Sequence, residues 1–310
     1  MGKNTIGLAK NYVSPIDEPL KYPGSRPDGS FILDGEYIHP ILYDTPEKGG
    51  SGSTYAGRAL IDNEGNTQRI DDYLKSKKKA PLGERYAVLG FGSNPVPGQL
   101  IRKFGEDAVV PVIFGEMEDT DVVYNLIASY GCAYAELALN QSGVNGNVAI
   151  TFLDSEQLRL MNETEGGDYD LAFVPKDVIL ESGEKIRGGE RDVPGLFYAG
   201  SGKIWVPKGY DKPVAIAELP SAGRVAKALY QEEILDLVVS QFGELRRKGI
   251  RSGAELCEYI RTETTKDSSN KVKDYLQKSV DEDPRSLEPV KSQVTTLENP
   301  LSPPKVFGDI

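Results

Sequence analysis

The chain has 310 residues, 39% of them hydrophobic, with 47 acidic against 36 basic side chains and a net charge of −11. That length suits one generous domain or two modest ones with a sizeable core. The acidic balance excludes sequence-independent nucleic-acid binding and attachment to an anionic membrane surface, both of which need dense Lys and Arg.

Residues 1–84 are rich in turn formers, as in "KYPGSRPDGS", with short β-prone pieces such as "SFILDGEYIHPILY" between them. They read as an extended arm, carrying a hairpin, that packs on the core. The start of the chain lacks an apolar signal region, and Ile6 breaks the myristoylation pattern. The basic run Lys75–Lys79 reads as a solvated linker. From 85 to about 220, strand-like runs follow one another: "RYAVLGFG", "AVVPVIFGE", "DVVYNLIAS", "NVAITFLD", "YDLAFVP", "GLFYAGS" and "PVAIAEL". Few helical segments interrupt them, which predicts an α+β fold built on a mixed sheet or small barrel, not a regular βαβ succession. Apolar residues at helical spacing predict helices over 222–245 and 254–262. The tail from about 281 has little to bury and is expected to be disordered or draped. The domain reading is therefore 1–84, 85–245 and 246–310.

The chemistry available is limited. His39 is the single histidine, so a metal site built on several imidazoles is excluded, and Cys/His zinc spacing is absent. Cys132 and Cys257 make no disulfide framework and fit a reducing compartment. No apolar run is long enough to span a bilayer. The expectation is a cytoplasmic protein using carboxylates, hydroxyls and backbone groups, without metal or cofactor.

Two glycine-rich turns invite nucleotide readings, and both fail. After the strand "AVLG", the stretch Gly90-Phe91-Gly92-Ser93-Asn94-Pro95 begins like a dinucleotide fingerprint, but Pro95 stands where helix and sheet need a third glycine. In Ala199-Gly200-Ser201-Gly202-Lys203-Ile204, Phe197 and Ile204 occupy positions that a P-loop reserves for Gly and Ser/Thr. The first turn keeps a physical meaning. Gly92 permits an unusual backbone angle, Ser93 or Asn94 can cap, and Pro95 suits a first helical turn. Backbone N–H groups there suit a carboxylate or a developing oxyanion.

The second landmark is "LDSEQLRLMNETEGG", residues 153–167. Asp154 with Gln157 makes a capping box, and Gly166-Gly167 stops the helix. Leu158 and Met161 mark the buried face. Glu165 falls seven and four residues later on that same face, whereas Glu163 points elsewhere. Desolvation and the negative end of the helix dipole would both disfavour the charged form of such an acid, suiting it to act as a general base.

Together these stretches resemble the gamma-glutamylcyclotransferase family over roughly residues 86–220. The family's Tyr-Gly-Ser-Asn turn matches as Phe91-Gly92-Ser93-Asn94, its catalytic glutamate before a glycine as Glu165 in "NETEG", and its second landmark as "DVVYNLIASYGCAYAEL". Tyr169 and Tyr198 fall where the family places substrate-side tyrosines. Two departures stand out: Phe91 lacks the family's hydroxyl, and Pro95 removes a backbone donor. The resemblance implies a small mixed β-barrel with flanking helices. It also implies a cofactor-independent enzyme releasing 5-oxoproline and an amine or amino acid from a γ-glutamyl amide. Glu165 would be the base, with Phe91, Gly92, Ser93, Asn94, Tyr169 and Tyr198 around the substrate. Two alternatives remain open at this point: related amide chemistry on the same fold, and a barrel that binds a small ligand or partner without turnover.

Overall fold

The computed structural model describes residues 5–43, 57–128, 130–165, 169–189, 195–266 and 271–297. The turn-rich N-terminal segment contributes five short strands: β1 (Gly7–Leu8), β2 (Phe31–Asp34), β3 (Tyr37–Tyr43), β4 (Gly57–Leu60) and β5 (Thr67–Arg69), followed by helix α1 (Ile70–Ser76). The basic run predicted as a linker thus begins inside α1 and follows it. Next come β6 (Tyr86–Gly90), α2 (Pro97–Phe104), β7 (Val109–Glu118), β8 (Thr120–Ile127), β9 (Ala133–Leu139), β10 (Asn145–Leu153) and α3 (Ser155–Glu165). Five more strands are β11 (Tyr169–Phe173), β12 (Val178–Leu180), β13 (Lys185–Ile186), β14 (Leu196–Gly200) and β15 (Ala215–Ile216). The chain closes with β16 (Ala228–Leu229) and helices α4 (Gln231–Gln241), α5 (Gly243–Arg247), α6 (Gly253–Lys266) and α7 (Lys271–Asp281).

The main sheet runs β11-β14-β6-β10-β7-β2-β3-β4-β5, and a smaller one runs β16-β15-β8-β9. The molecule is α+β, but the expected barrel is not closed: among the described residues β11 and β5 stand at opposite ends of the order. The long strand β7 explains this. One of its edges pairs with β10, while β2 and β12 share the other, so the N-terminal hairpin β2–β3 extends the sheet instead of letting it curl shut.

Both faces of the main sheet are covered at β6 and β14, which are buried along their whole length. On β6, Tyr86 and Val88 face a core that includes Leu100 of α2 with Leu158 and Met161 of α3. Ala87 and Leu89 face the other way, into a core shared with the smaller sheet and helices α4, α6 and α7. The period-2 alternation of a strand thus divides one segment between two cores.

The predicted helix over 222–245 begins later than its spacing suggests. Ala222 bridges to Asn145, the Arg224 guanidinium clasps Asp121, and Ala228–Leu229 pair with β15, so α4 starts only at Gln231. The tail is draped where it is described. Leu287 bridges to Ile204, Thr296 to Ala172, and the Leu297 N–H donates to Leu171 O at 2.9 Å on the outer edge of β11. No helix of the described residues is long and apolar enough to cross a membrane.

Candidate active site

The turn after β6 opens on a cavity of about 450 Å³, a size suited to a small molecule. Its local structure differs from the expectation. Helix α2 starts at Pro97, not Pro95, with Val96 as an N-cap that makes no side-chain cap bond. Ser93 serves the turn through its carbonyl, which accepts from Val96 N at 2.9 Å. Asn94 turns its side chain to Lys103, whose Nζ donates to Oδ1 at 2.9 Å. Gly92 is not left-handed. It is glycine because of crowding: a Cβ there would stand 2.6 Å from the Tyr22 hydroxyl and 3.0 Å from Ala135 Cβ.

Helix α3 forms as its sequence dictates. Gln157 N donates to Asp154 Oδ1 at 2.9 Å and Asp154 N donates to Gln157 Oε1 at 3.0 Å, the two halves of a capping box. Buried Arg85 donates to that same Gln157 oxygen at 3.2 Å and to Phe152 O at 3.0 Å, fixing the helix start on the sheet. Leu158 and Met161 are buried, and Glu163 points outward to Arg159. Gly166 and Gly167 lie outside the described residues. Glu165 turns inward to the cavity, its side chain only 15% exposed.

That acid is not alone. Lys103, 4% exposed, donates to Glu165 Oε1, to Asn94 Oδ1 and to Met161 Sδ at 3.0 Å, so one ammonium spends three donors tying the turn to the helix end. The ammonium and the carboxylate form an ion pair that is largely shielded from solvent. Glu165 Oε2 has no partner among the described residues and remains free to act in the cavity. Lys103 was missed in the sequence because "LIRKFG" resembles any solvated helix end. Its spacing, three residues after buried Leu100, carried the same signal that singled out Glu165.

Tyrosines make much of the remaining wall. Tyr169 on β11 and Tyr198 on β14 both face the cavity, and Tyr198 donates to Asn162 Oδ1 at 2.6 Å. Tyr134 meets Tyr169 edge-on, ring centroids 6.0 Å apart at 72°. Burial holds the phenols of Tyr169 and Tyr198 above their ordinary range, and the Glu165 charge adds to it. They therefore keep their protons at neutral pH as hydrogen-bond donors.

The N-terminal segment supplies a third part of the site, which the sequence reading left out. Tyr22 lines the cavity, and its hydroxyl accepts from Ala135 N at 2.7 Å. Arg26 donates to the carbonyls of Phe91, at 3.0 Å, and Gly92. Burial pulls its guanidinium down to about 10. The Gly98 N–H donates to Tyr12 O at 2.9 Å, and Ser14 Oγ to Gln99 Oε1 at 2.6 Å, binding the same segment to the start of α2. No periodic pattern announces these residues, because the segment is held by single long-range contacts.

Phe91, Gly92, Ser93, Asn94, Glu165, Tyr169 and Tyr198 all line this one cavity. The arrangement offers a carboxylate with one free oxygen, phenolic donors, and a turn whose two carbonyls are masked by a guanidinium. Such a set can hold a small polar molecule and take a proton from it.

No protein-family model matches the chain. No curated protein matches it either. A solved chain described as "Gamma-glutamyl cyclotransferase" superposes with a TM-score of 0.31 at 12% sequence identity, covering 63% of this chain and 99% of that one. At that level the similarity is slight.

Proposed function

We propose that the protein is a cyclotransferase acting on a γ-glutamyl amide. The observation that carries this reading is the convergence on one cavity of the turn Phe91–Asn94, the inward Glu165 and the phenols of Tyr169 and Tyr198. Glu165 Oε2 accepts a proton from the substrate's α-ammonium. The freed amine attacks the γ-carbonyl carbon of the same molecule, forming the C–N bond of a five-membered ring. The original amide C–N bond then breaks as the proton held by Glu165 passes to the departing nitrogen, and the ring nitrogen gives up its second proton through the same carboxylate, leaving the single N–H of the lactam. The products are 5-oxoproline and a free amine or amino acid. Ring closure within one bound molecule gains from high effective molarity, so the protein's main tasks are to fold the substrate and move its protons.

The Lys103–Glu165 pair favours a second reading, a pocket that binds such a ligand without turnover, since one carboxylate oxygen is already committed. One experiment separates the two. The protein is incubated with a panel of γ-glutamyl dipeptides and γ-glutamyl amines, and 5-oxoproline is followed. Glu165→Gln is expected to lose turnover by at least about 10²-fold while still binding ligand, and Glu163→Gln to stay within twofold of the parent. A fully active glutamine variant at 165 removes the base. Binding of a panel member with no product from any of them favours the second reading.

A further inference from the structure

The Tyr22 hydroxyl is 3% exposed at the level of its residue, yet it faces the cavity from a segment far from the turn and from Glu165 in sequence. It accepts the Ala135 N–H at 2.7 Å, and its own proton has no acceptor among the described residues. A buried donor with nothing to donate to is uncommon in a folded protein. The surroundings are arranged to admit it. Residue 92 is glycine where any Cβ would collide with this oxygen, and Phe91, next in the turn, brings no hydroxyl of its own. Arg26, four residues on, is bonded to the carbonyls of Phe91 and Gly92, which anchors the segment to the turn and keeps those carbonyl oxygens turned to the guanidinium.

We propose that Tyr22 is a further catalytic residue, its hydroxyl donating a hydrogen bond to the γ-carbonyl oxygen of the bound substrate, an assignment that rests on the cyclotransferase reading. As the α-amine adds to the carbonyl carbon, negative charge gathers on that oxygen. A donor already fixed by Ala135 N–H meets the charge without reorganising. No proton is transferred in this contact: Tyr22 keeps its hydrogen, and the protons that move are those carried by Glu165. Burial raises the Tyr22 phenol well above its ordinary range, with Cys132 adding to it, so the group stays a donor throughout the working range of pH. The N-terminal segment then belongs to the catalytic unit and is more than a cover.

Tyr22→Phe tests this, because it removes one oxygen and keeps the ring. With the panel substrate that the parent turns over best, kcat is expected to fall about 10²- to 10³-fold while KM stays within threefold. The melting temperature should remain close to the parent's. Binding of 5-oxoproline, whose ring carbonyl is the former γ-carbonyl, should weaken about tenfold by calorimetry. If the wild-type protein is active, Glu165→Gln is dead and Tyr22→Phe keeps kcat within threefold, Tyr22 is not catalytic and the cyclotransferase reading stands. Where kcat falls, KM rises and the melting temperature drops together, the role is structural and the proposal is overturned. If the wild-type protein turns over no panel member, the functional reading fails and the catalytic role of Tyr22 goes with it. The wild-type chain gives a further check that needs no variant: with tyrosine labelled at Cζ, adding 5-oxoproline should shift a ring signal, and an unmoved spectrum at saturation refutes the contact.

Discussion

Glu136 on β9 is fully buried: Oε1 accepts from Leu137 N at 3.1 Å, and Oε2 makes no well-formed hydrogen bond among the described residues, with the Gly200 backbone as its polar neighbour. Oε2 lies against Gly200, where any Cβ would overlap it. Burial pushes this carboxyl from 4.5 up to about 8. A folded-state value raised in this way means that the native protein holds a proton the unfolded chain has released. The resulting stability is fully present below about 4.5 and is lost as pH rises through about 8. Integrating between those limits gives a loss of about 1 kcal/mol at pH 5, about 3 kcal/mol at pH 7 and nearly 5 kcal/mol at pH 9, as a ceiling for a rigid site. Glu136→Gln keeps the shape and removes the titration. Urea unfolding of parent and variant at pH 5, 7 and 9 should therefore show the glutamine form gaining on the parent by up to about 4 kcal/mol across that range. A stability difference constant to within about 1 kcal/mol from pH 5 to pH 9 would refute the assignment of a neutral buried acid. The effect concerns the site, because Tyr134 lies on the same face of β9 and Tyr169 is the register partner of Gly200.

Two further substitutions probe the frame of the cavity. Lys103→Met leaves the Glu165 carboxylate and Asn94 Oδ1 without their ammonium and should cost about 3–5 kcal/mol in urea unfolding, while Lys103→Met with Glu165→Gln recovers part of the loss. Additive costs in the double variant would mean that the two groups are not coupled. Gly92→Ala pushes a methyl group to 2.6 Å from the Tyr22 hydroxyl and should cost about 1–3 kcal/mol by thermal melts, together with most of the turnover. An alanine variant as stable as the parent would mean that the segment yields at no cost.

How much of this was legible depended on the range over which each feature is determined. Helix α3 was readable because its start is a local bond pair, Asp154 with Gln157, and its inward face repeats at 158, 161 and 165. The strands of 85–220 were readable because apolar runs bounded by turns suffice to mark them. Their order was not. Nothing near Val109–Glu118 says that one strand will serve β10 on one edge and β2 with β12 on the other, and closure of a barrel turns on that. Residues 222–230 carry helical spacing, yet long-range bonds from Arg224 to Asp121 and from β16 to β15 hold them out of a helix. The cavity residues on the turn and on α3 followed from spacing and from the family resemblance. Lys103 hid behind a commonplace helix end, and Tyr22 and Arg26 in a stretch with no period at all.

The N-terminal segment crosses the molecule at its cavity, and this ties recognition to the completion of folding. Tyr22 reaches Ala135 across 113 positions and Arg26 reaches Gly92 across 66. Drawing the longer of these loops shut costs on the order of 4 kcal/mol in chain entropy before any contact repays it. A pocket assembled from such distant stretches cannot exist in half-made molecules, so nascent or damaged copies have nothing with which to capture a ligand. The converse also holds: an occupant gripping Tyr22 would slow the escape of that segment, and amide exchange along residues 12–26 would register occupancy from outside the cavity.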